Sequence, residues 1–197
     1  MGFFVYGRDY RFIFINMKNL EQLIKNYARA YPEEEAPRDM LKFLDRKTDY
    51  FLRNSYNGHF TGSAWIVSPD KSSILMTHHK KLGKWIQLGG HADDENDLLK
   101  VALREAKEES GIQEFKVLSE KIFDLDIHAI PQHNFEPSHL HYDIRFLFEA
   151  DPIGEEVIIS DESHDVTWVP LEDVAKINPE VSIQRMIKKT ILMKENE

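Results

Sequence analysis

The stretch LREAKEESGI, residues 103–112, places three glutamates, Glu105, Glu108 and Glu109, within about one helical turn and follows them with a glycine. Positions i, i+3 and i+4 share one face of a helix. At about 100° per residue the three carboxylates span an arc of roughly 100°. Like charges so spaced repel by roughly 0.2–0.5 kcal/mol per pair, and the C-terminal end of a helix is the unfavourable end for a carboxylate. Arg104 and Lys107, within the run, offset part of that cost. Read alone, such a run is a solvated helix face. Read as a site, it is a set of oxygen donors whose repulsion a divalent cation removes, and oxygen-only donors suit Mg²⁺ or Mn²⁺.

The residues upstream decide between the two readings. The whole segment is GHADDENDLLKVALREAKEESGI, residues 90–112, in which Gly90 lies fourteen residues before Arg104. It resembles the signature of the Nudix hydrolase family: Gly, five residues, Glu, seven residues, Arg-Glu, an apolar residue, any residue, Glu-Glu, any residue, Gly, an apolar residue. Gly90, Arg104, Glu105, Ala106, Glu108, Glu109, Gly111 and Ile112 fall in place. Asn96 stands where the family usually has its first glutamate, with Glu95 beside it. The flanks WIQLGGHAD and ESHDVTWVPLEDV look like those of a Nudix domain, so the resemblance covers residues 60–175.

That resemblance implies an α+β chain with a Nudix-type α/β/α sandwich and a mixed sheet. It implies a metal-dependent pyrophosphohydrolase that cleaves a nucleoside diphosphate linked to some group X, with a sugar nucleotide ahead of ADP-ribose and noncanonical nucleoside triphosphates. Carried over residue by residue, Glu105, Glu108 and Glu109 are metal ligands, and Glu105 is alternatively the group that orients or deprotonates water. Arg104 holds Glu105 through an ion pair, the carbonyl of Gly89 adds a metal ligand, and Gly90 and Gly111 are turn residues. The implied cofactor is Mg²⁺ or Mn²⁺. The rival from another class is a catalytically weak or inactive Nudix-fold sensor, favoured by Asn96 alone.

Composition agrees with a soluble enzyme. The chain has 197 residues, of which 42% are hydrophobic and 30% charged, enough for one ordinary domain and an extension. A net charge of −9 and a pI near 5.5 argue against nucleic acid as partner, which wants a basic surface. The absence of cysteine excludes disulfides, zinc–thiolate sites and cysteine nucleophiles and fits a cytoplasmic setting. No stretch approaches the ~20 apolar residues of a membrane span.

The hydrophobic pattern divides the chain into an N-terminal appendage and helical extension, 1–57, and a Nudix domain, 58–197. Residues 1–16 are expected to be an appendage or an extra strand, and 17–57 to be helical. Leu20, Leu23, Ile24 and Tyr27 lie on one apolar side, and Met40, Leu41, Leu44, Tyr50 and Phe51 on a second. These helices pack on the domain or on a second copy, as a homodimer. TGSAWIVSP and SILMTHHK read as a hairpin, KWIQLGGH as a strand, and 97–110 as a helix capped by Asp94 or Asn96 and ended by Gly111. KIFDLDIHAI and HYDIRFLFEA alternate apolar with polar residues. DVTWVPLEDVAKI is a strand and short helix, and VSIQRMIKKTILM a closing amphipathic helix.

Those alternating strands supply the remaining candidates. Asp124, Asp126 and His128 share one face, and His141, Asp143 and Arg145 another. If the strands pair, they form a polar wall that either lines the substrate pocket or is the wet side of a sheet. On the first reading Arg145, Asp143 and His141 bind substrate, with Arg145 on phosphate and His139 close by. Glu136, in the loop PQHNFEPSHL, is the expected later carboxylate, ahead of Glu162. His78, His79, Trp85 and Trp168 are expected to be surface or core residues, and Lys80 and Lys81 are phosphate candidates of lower rank.

Overall fold

The computed structural model describes residues 10–45, 51–52, 58–132 and 137–196, and for residues 10–18 the backbone alone. The chain divides into two compact units, residues 1–48 and 49–197. In the first, helix α1 (Tyr10–Ala30) is followed by α2 (Ala36–Leu44). Pro37 sits in the first turn of α2, where its missing N–H costs nothing. Leu20, Ile24 and Tyr27 of α1 and Met40, Phe43 and Leu44 of α2 are buried, a helical stripe on each, and α1 packs on α2. The Tyr27 hydroxyl donates to Glu34 at 2.7 Å across the turn between them.

Two expectations are corrected here. Residues 10–16 continue α1 rather than forming an appendage or a strand, while 1–9 lie outside the described residues. Phe51 belongs to no helix: α2 ends at Leu44, and the Phe51 carbonyl accepts from the Asp94 amide at 3.3 Å in the second unit. Tyr50 lies outside the described residues.

The second unit is a mixed, curled sheet between helices. Its elements are β1 (His59–Val67), β2 (Ser73–His79), β3 (Lys84–Ile86), β4 (Leu88–His91), α3 (Leu98–Ser110), β5 (Lys116–Val117), β6 (Asp124–Ile130), β7 (His139–Glu149), β8 (Ser163–Pro170), α4 (Leu171–Ile177) and α5 (Val181–Glu195). The hairpin of β1 and β2 is paired only at its base, Ile66 with Leu75 and Val67 with Ile74. Further along, β1 turns to β4 for its antiparallel partner, from Ala64 opposite Leu88 to Thr61 opposite His91. Its other edge runs parallel to β7 from His59 opposite His141 to Val67 opposite Glu149. The segment KWIQLGGH is therefore two strands, β3 on β2 and β4 on β1.

Every residue of β1 is buried, because both faces are covered. On one face Phe60, Ala64 and Ile66 meet the side carrying α3, where Leu98 and Val101 lie close over Gly62. On the other, Trp65 and Val67 join Ile74, Met76, Leu147, Val169, Val174, Ile183 and Met186 in one core cluster under α4 and α5. The Trp65 Nε1–H donates to Thr190 Oγ1 of α5 at 2.9 Å, so the largest core side chain is also satisfied. Helices on both faces of a mixed sheet make this the expected α+β, α/β/α sandwich. Among the described residues no helix is long and apolar enough to cross a membrane.

Candidate active site

Helix α3 delivers the glutamates to the sheet because its apolar stripe turns acidic in the last two turns. Leu98, Ala102 and Ala106 are buried, and Glu105 and Glu109 continue the same face. Asp97, rather than Asp94 or Asn96, is the N-cap, its carboxylate accepting from the Lys100 amide at 3.3 Å. Glu95 accepts from the Asp97 amide at 2.9 Å. At the far end Gly111 adopts φ 75° and its amide closes on the Lys107 carbonyl at 2.9 Å, the left-handed C-cap that glycine takes at least cost.

The two glycines of β4 hold the carboxylates from below. The Gly89 amide donates to Glu109 Oε2 at 2.8 Å. Gly90 is in the strand rather than at a turn, a correction to its expected role. A β-carbon there would lie 2.5 Å from Glu105 Cδ, so glycine lets the Glu105 carboxylate sit against the strand. Arg104 ties the group together. Its guanidinium lies 2.8 Å from Glu105 Oε1 and 3.1 Å from Glu108 Oε2, and Nη2 donates to the His91 carbonyl at 2.8 Å.

Burial and mutual repulsion make this cluster short of positive charge. The Glu109 carboxyl, 6% exposed, is pushed up to about 8, chiefly by desolvation and against the pull of the Gly89 amide, with Glu105, Glu162 and Glu108 adding to the rise. Glu105 is pushed up to about 7, again mainly by burial, with the Arg104 guanidinium pulling the other way. Hard oxygen donors, converging on one face, with a surplus of negative charge and a single arginine among them, fit a divalent cation. Glu162 adds to the negative field at Glu109. The preferred candidate Glu136 lies outside the described residues.

The polar wall forms, but inside the protein. Strands β6 and β7 pair antiparallel with Asp124 opposite Arg145, Asp126 opposite Asp143 and His128 opposite His141. Asp124, Asp143 and Arg145 are all buried. Asp143 accepts from Thr61, Ser63, Gln87 and Arg145 at 2.8–3.2 Å. Arg145 directs Nε to Asp143, Nη1 to Asp124 and Nη2 to Asp126, at 2.8–3.3 Å. Helix α5 covers them: Arg185 and Lys189, one turn apart, both reach Asp124 at 2.7–2.8 Å. Three cations thus balance three carboxylates.

This corrects the expected substrate contacts of Asp143 and Arg145. Arg145 is held by Asp143, Asp124 and Asp126, Asp143 also by Thr61 and Ser63 of β1, and both are buried away from substrate. It also corrects the alternative of a wet sheet face. The reason is the covering helix, whose Arg185 and Lys189 went unassigned in the sequence. Their i,i+4 spacing beside the apolar stripe of Ile183, Met186 and Thr190 was the available signal.

Beyond the ion network, toward the start of β1, the same sheet face is lined by histidines. His141 sits in a group with His59, His91, His128 and His139. His128 Nδ1 lies 3.2 Å from Asp126. Burial, and the neighbouring imidazoles, press His141 down to about 2, so it is neutral. His59 and His91 were unassigned in the sequence; only the strand register brings them here. His78 stacks on Trp85 with ring centroids 5.1 Å apart, and Lys80 Nζ donates to the Asp161 carbonyl at 2.8 Å.

Known proteins agree with this geometry. The NUDIX domain family matches residues 59–189. Among solved structures, an Ap4A hydrolase binary complex from C. elegans is similar at 17% identity and TM-score 0.51, over 70% of this chain and 98% of that one. The E. coli dihydroneopterin triphosphate pyrophosphohydrolase is similar at 14% identity and TM-score 0.50, over 68% and 95%. A Nudix hydrolase structure from Listeria monocytogenes matches at 18% identity and TM-score 0.50, over 70% and 95%. These likenesses concern the fold. No curated protein sequence matches the chain. A family match across two-thirds of the chain, with the glutamate helix and its glycine strand inside it, shows that this chain belongs to the Nudix family and is a hydrolase of phosphoric anhydride bonds in nucleotide derivatives.

Proposed function

We propose that the chain hydrolyses the diphosphate of a nucleoside diphosphate linked to X, with a sugar as the X to test first, and that it requires Mg²⁺ or Mn²⁺. The observation that carries this reading is the trio Glu105, Glu108 and Glu109 on one face of α3, Glu109 buried and Glu105 half-buried, both raised toward neutral pH. Glu105, Glu108 and Glu109, with the Gly89 carbonyl, would hold the cation. When bound, it would neutralise pyrophosphate charge and acidify water.

The chain's own residues do the rest. Arg104 positions Glu105 and Glu108 through its two ion pairs and is anchored by the His91 carbonyl. Glu105, pushed up to about 7 in the metal-free protein, is alternatively the group that accepts the proton from water, in place of serving as a ligand. Water adds its oxygen to one phosphorus, its proton passes to a carboxylate, and the bridging P–O bond breaks to give two phosphates. Glu162, whose charge is felt at Glu109, is the loop carboxylate we would test as a second acceptor of that proton. The lack of cysteine fits a reducing compartment, and the reading places the reaction in the cytoplasm.

The test is hydrolysis of a panel of nucleotide sugars, ADP-ribose, dinucleoside polyphosphates and nucleoside triphosphates with Mg²⁺ or Mn²⁺, beside Glu109→Gln. Metal-dependent turnover of nucleoside diphosphate derivatives, lost in the variant, supports the reading. Turnover of triphosphates alone overturns the substrate class. Nucleotide binding with no turnover of any member would favour the second reading, a sensor, for which Asn96 in place of the first glutamate is the observation.

A further inference from the structure

Five imidazoles converge at one end of the sheet, and strand geometry explains how. His59 of β1 lies directly opposite His141 in the parallel register with β7. His139, two residues earlier on β7, projects from the same face. His128 is opposite His141 from the β6 side, and the His91 ring lies 5.0 Å from that of His59 and 5.1 Å from that of His141. His59 is fully buried. The three rings of His59, His139 and His141 lie 4.7–5.1 Å apart, centre to centre.

We propose that His59, His139 and His141 form a binding site for one transition-metal ion of the Zn²⁺ class, separate from the glutamate site on α3. Each offers a ring nitrogen, and these atoms lie within 4.8 Å of one another. His139 Nε2 and His141 Nε2 are already 3.2 Å apart. Zinc–nitrogen bonds of about 2.0–2.1 Å in a tetrahedron put neighbouring ligand atoms about 3.3 Å apart. That pair therefore needs almost no adjustment, and His59, whose nitrogen lies within 4.8 Å, would have to turn its ring to complete the set.

The surroundings have the form expected around a metal-bound imidazole. His139 Nδ1 lies 2.9 Å from the Pro137 carbonyl. A carbonyl only accepts, so Nδ1 carries the proton and donates it, which leaves Nε2 with a lone pair that accepts from His141 Nε2–H at 3.2 Å in the metal-free protein and would turn to an ion replacing that proton. Ligand histidines are oriented in this way by a partner on the other ring nitrogen. Nitrogen donors select Zn²⁺, Cu²⁺, Co²⁺ or Ni²⁺, whereas Mg²⁺ and Mn²⁺ prefer oxygen. The two sites on this chain therefore differ in ion by donor chemistry. Three histidines leave a fourth position open, which His91 or water would fill. A purely structural stack of imidazoles would give the same ring distances but would bind no ion, and that difference is measurable.

The experiment titrates chelator-treated full-length protein with Co²⁺ and reads visible absorption. Nitrogen-ligated, four-coordinate Co²⁺ absorbs strongly, while oxygen-ligated octahedral Co²⁺ is pale. The expected result is one intense chromophore per chain, discharged by Zn²⁺. His139→Ala and His141→Gln should each weaken it about tenfold or more, and Glu108→Gln should leave it intact. Nitrogen hyperfine splitting in the Cu²⁺ electron paramagnetic resonance spectrum of the unmodified protein counts the imidazoles without any variant. Pale Co²⁺ alone, a chromophore indifferent to both histidine variants, or one lost in Glu108→Gln would each overturn the assignment.

Discussion

Replacing Glu109 by Gln should make the metal-free protein more stable at alkaline pH while removing its response to Mg²⁺. The carboxyl is buried and rises from an ordinary 4.5 to about 8. The folded state therefore holds its proton more tightly than the unfolded chain. Unfolding releases that proton between about 4.5 and about 8, so stability falls as pH climbs through that range and levels off above it. At about 1.36 kcal/mol per tenfold in proton affinity, the ceiling on that loss is about 5 kcal/mol. Glu105 rises for related reasons and the two carboxyls influence each other, so the loss assigned to Glu109 alone is on the order of 2–4 kcal/mol. Gln keeps an oxygen to accept from the Gly89 amide and never ionises.

Thermal melts in chelator, for both proteins, from about pH 5 to about pH 9, would test this. At about 2–4 °C per kcal/mol for a chain of this size, Glu109→Gln should melt about 4–16 °C higher than the parent near pH 9 and nearly level with it near pH 5. Adding Mg²⁺ should raise the parent's Tm most at high pH, where binding need not displace a proton, and leave the variant nearly unchanged. A variant that is less stable by the same amount at both ends of the range would refute the reasoning. Glu109 would then be an ordinary structural acceptor.

The buried ion network gives the opposite outcome. Arg145→Met leaves the buried Asp143 carboxylate without its cation, while Asp124 keeps Arg185 and Lys189, and should cost about 3–5 kcal/mol in denaturant unfolding. Gly90→Ala places a methyl 2.5 Å from Glu105 Cδ; the side chain can move aside, so hydrolysis should fall about 10²-fold with little change in Tm. Asp97→Ala removes the α3 cap and should cost about 1 kcal/mol, visible as a small Tm shift with KM and metal dependence retained.

What the sequence determined was local. Spacing alone places Glu105, Glu108 and Glu109 on one helix face, and Gly111 ends that helix because a left-handed residue is needed there. Alternation in 121–130 and 141–150 separates apolar from polar residues on both strands, and that pattern forms. What tertiary structure decided was which polar residues see solvent. The same alternation describes a wet face, a substrate wall and a buried ion network, and only α5, supplying Arg185 and Lys189, makes it the last. Asp143 and Arg145 looked like ligands for substrate because period two carries no information about what packs on top. Gly90 looked like a turn because glycine's two uses, a turn and a close approach, read alike until Glu105 is seen 2.5 Å from its missing β-carbon. His59, His91, His128, His139 and His141 are scattered over eighty-three positions of sequence. They meet only because a parallel pairing sets His59 beside His141 and an antiparallel one sets His128 there too. Strand register is a long-range quantity, fixed by the packing of the whole sheet rather than by any single segment of chain.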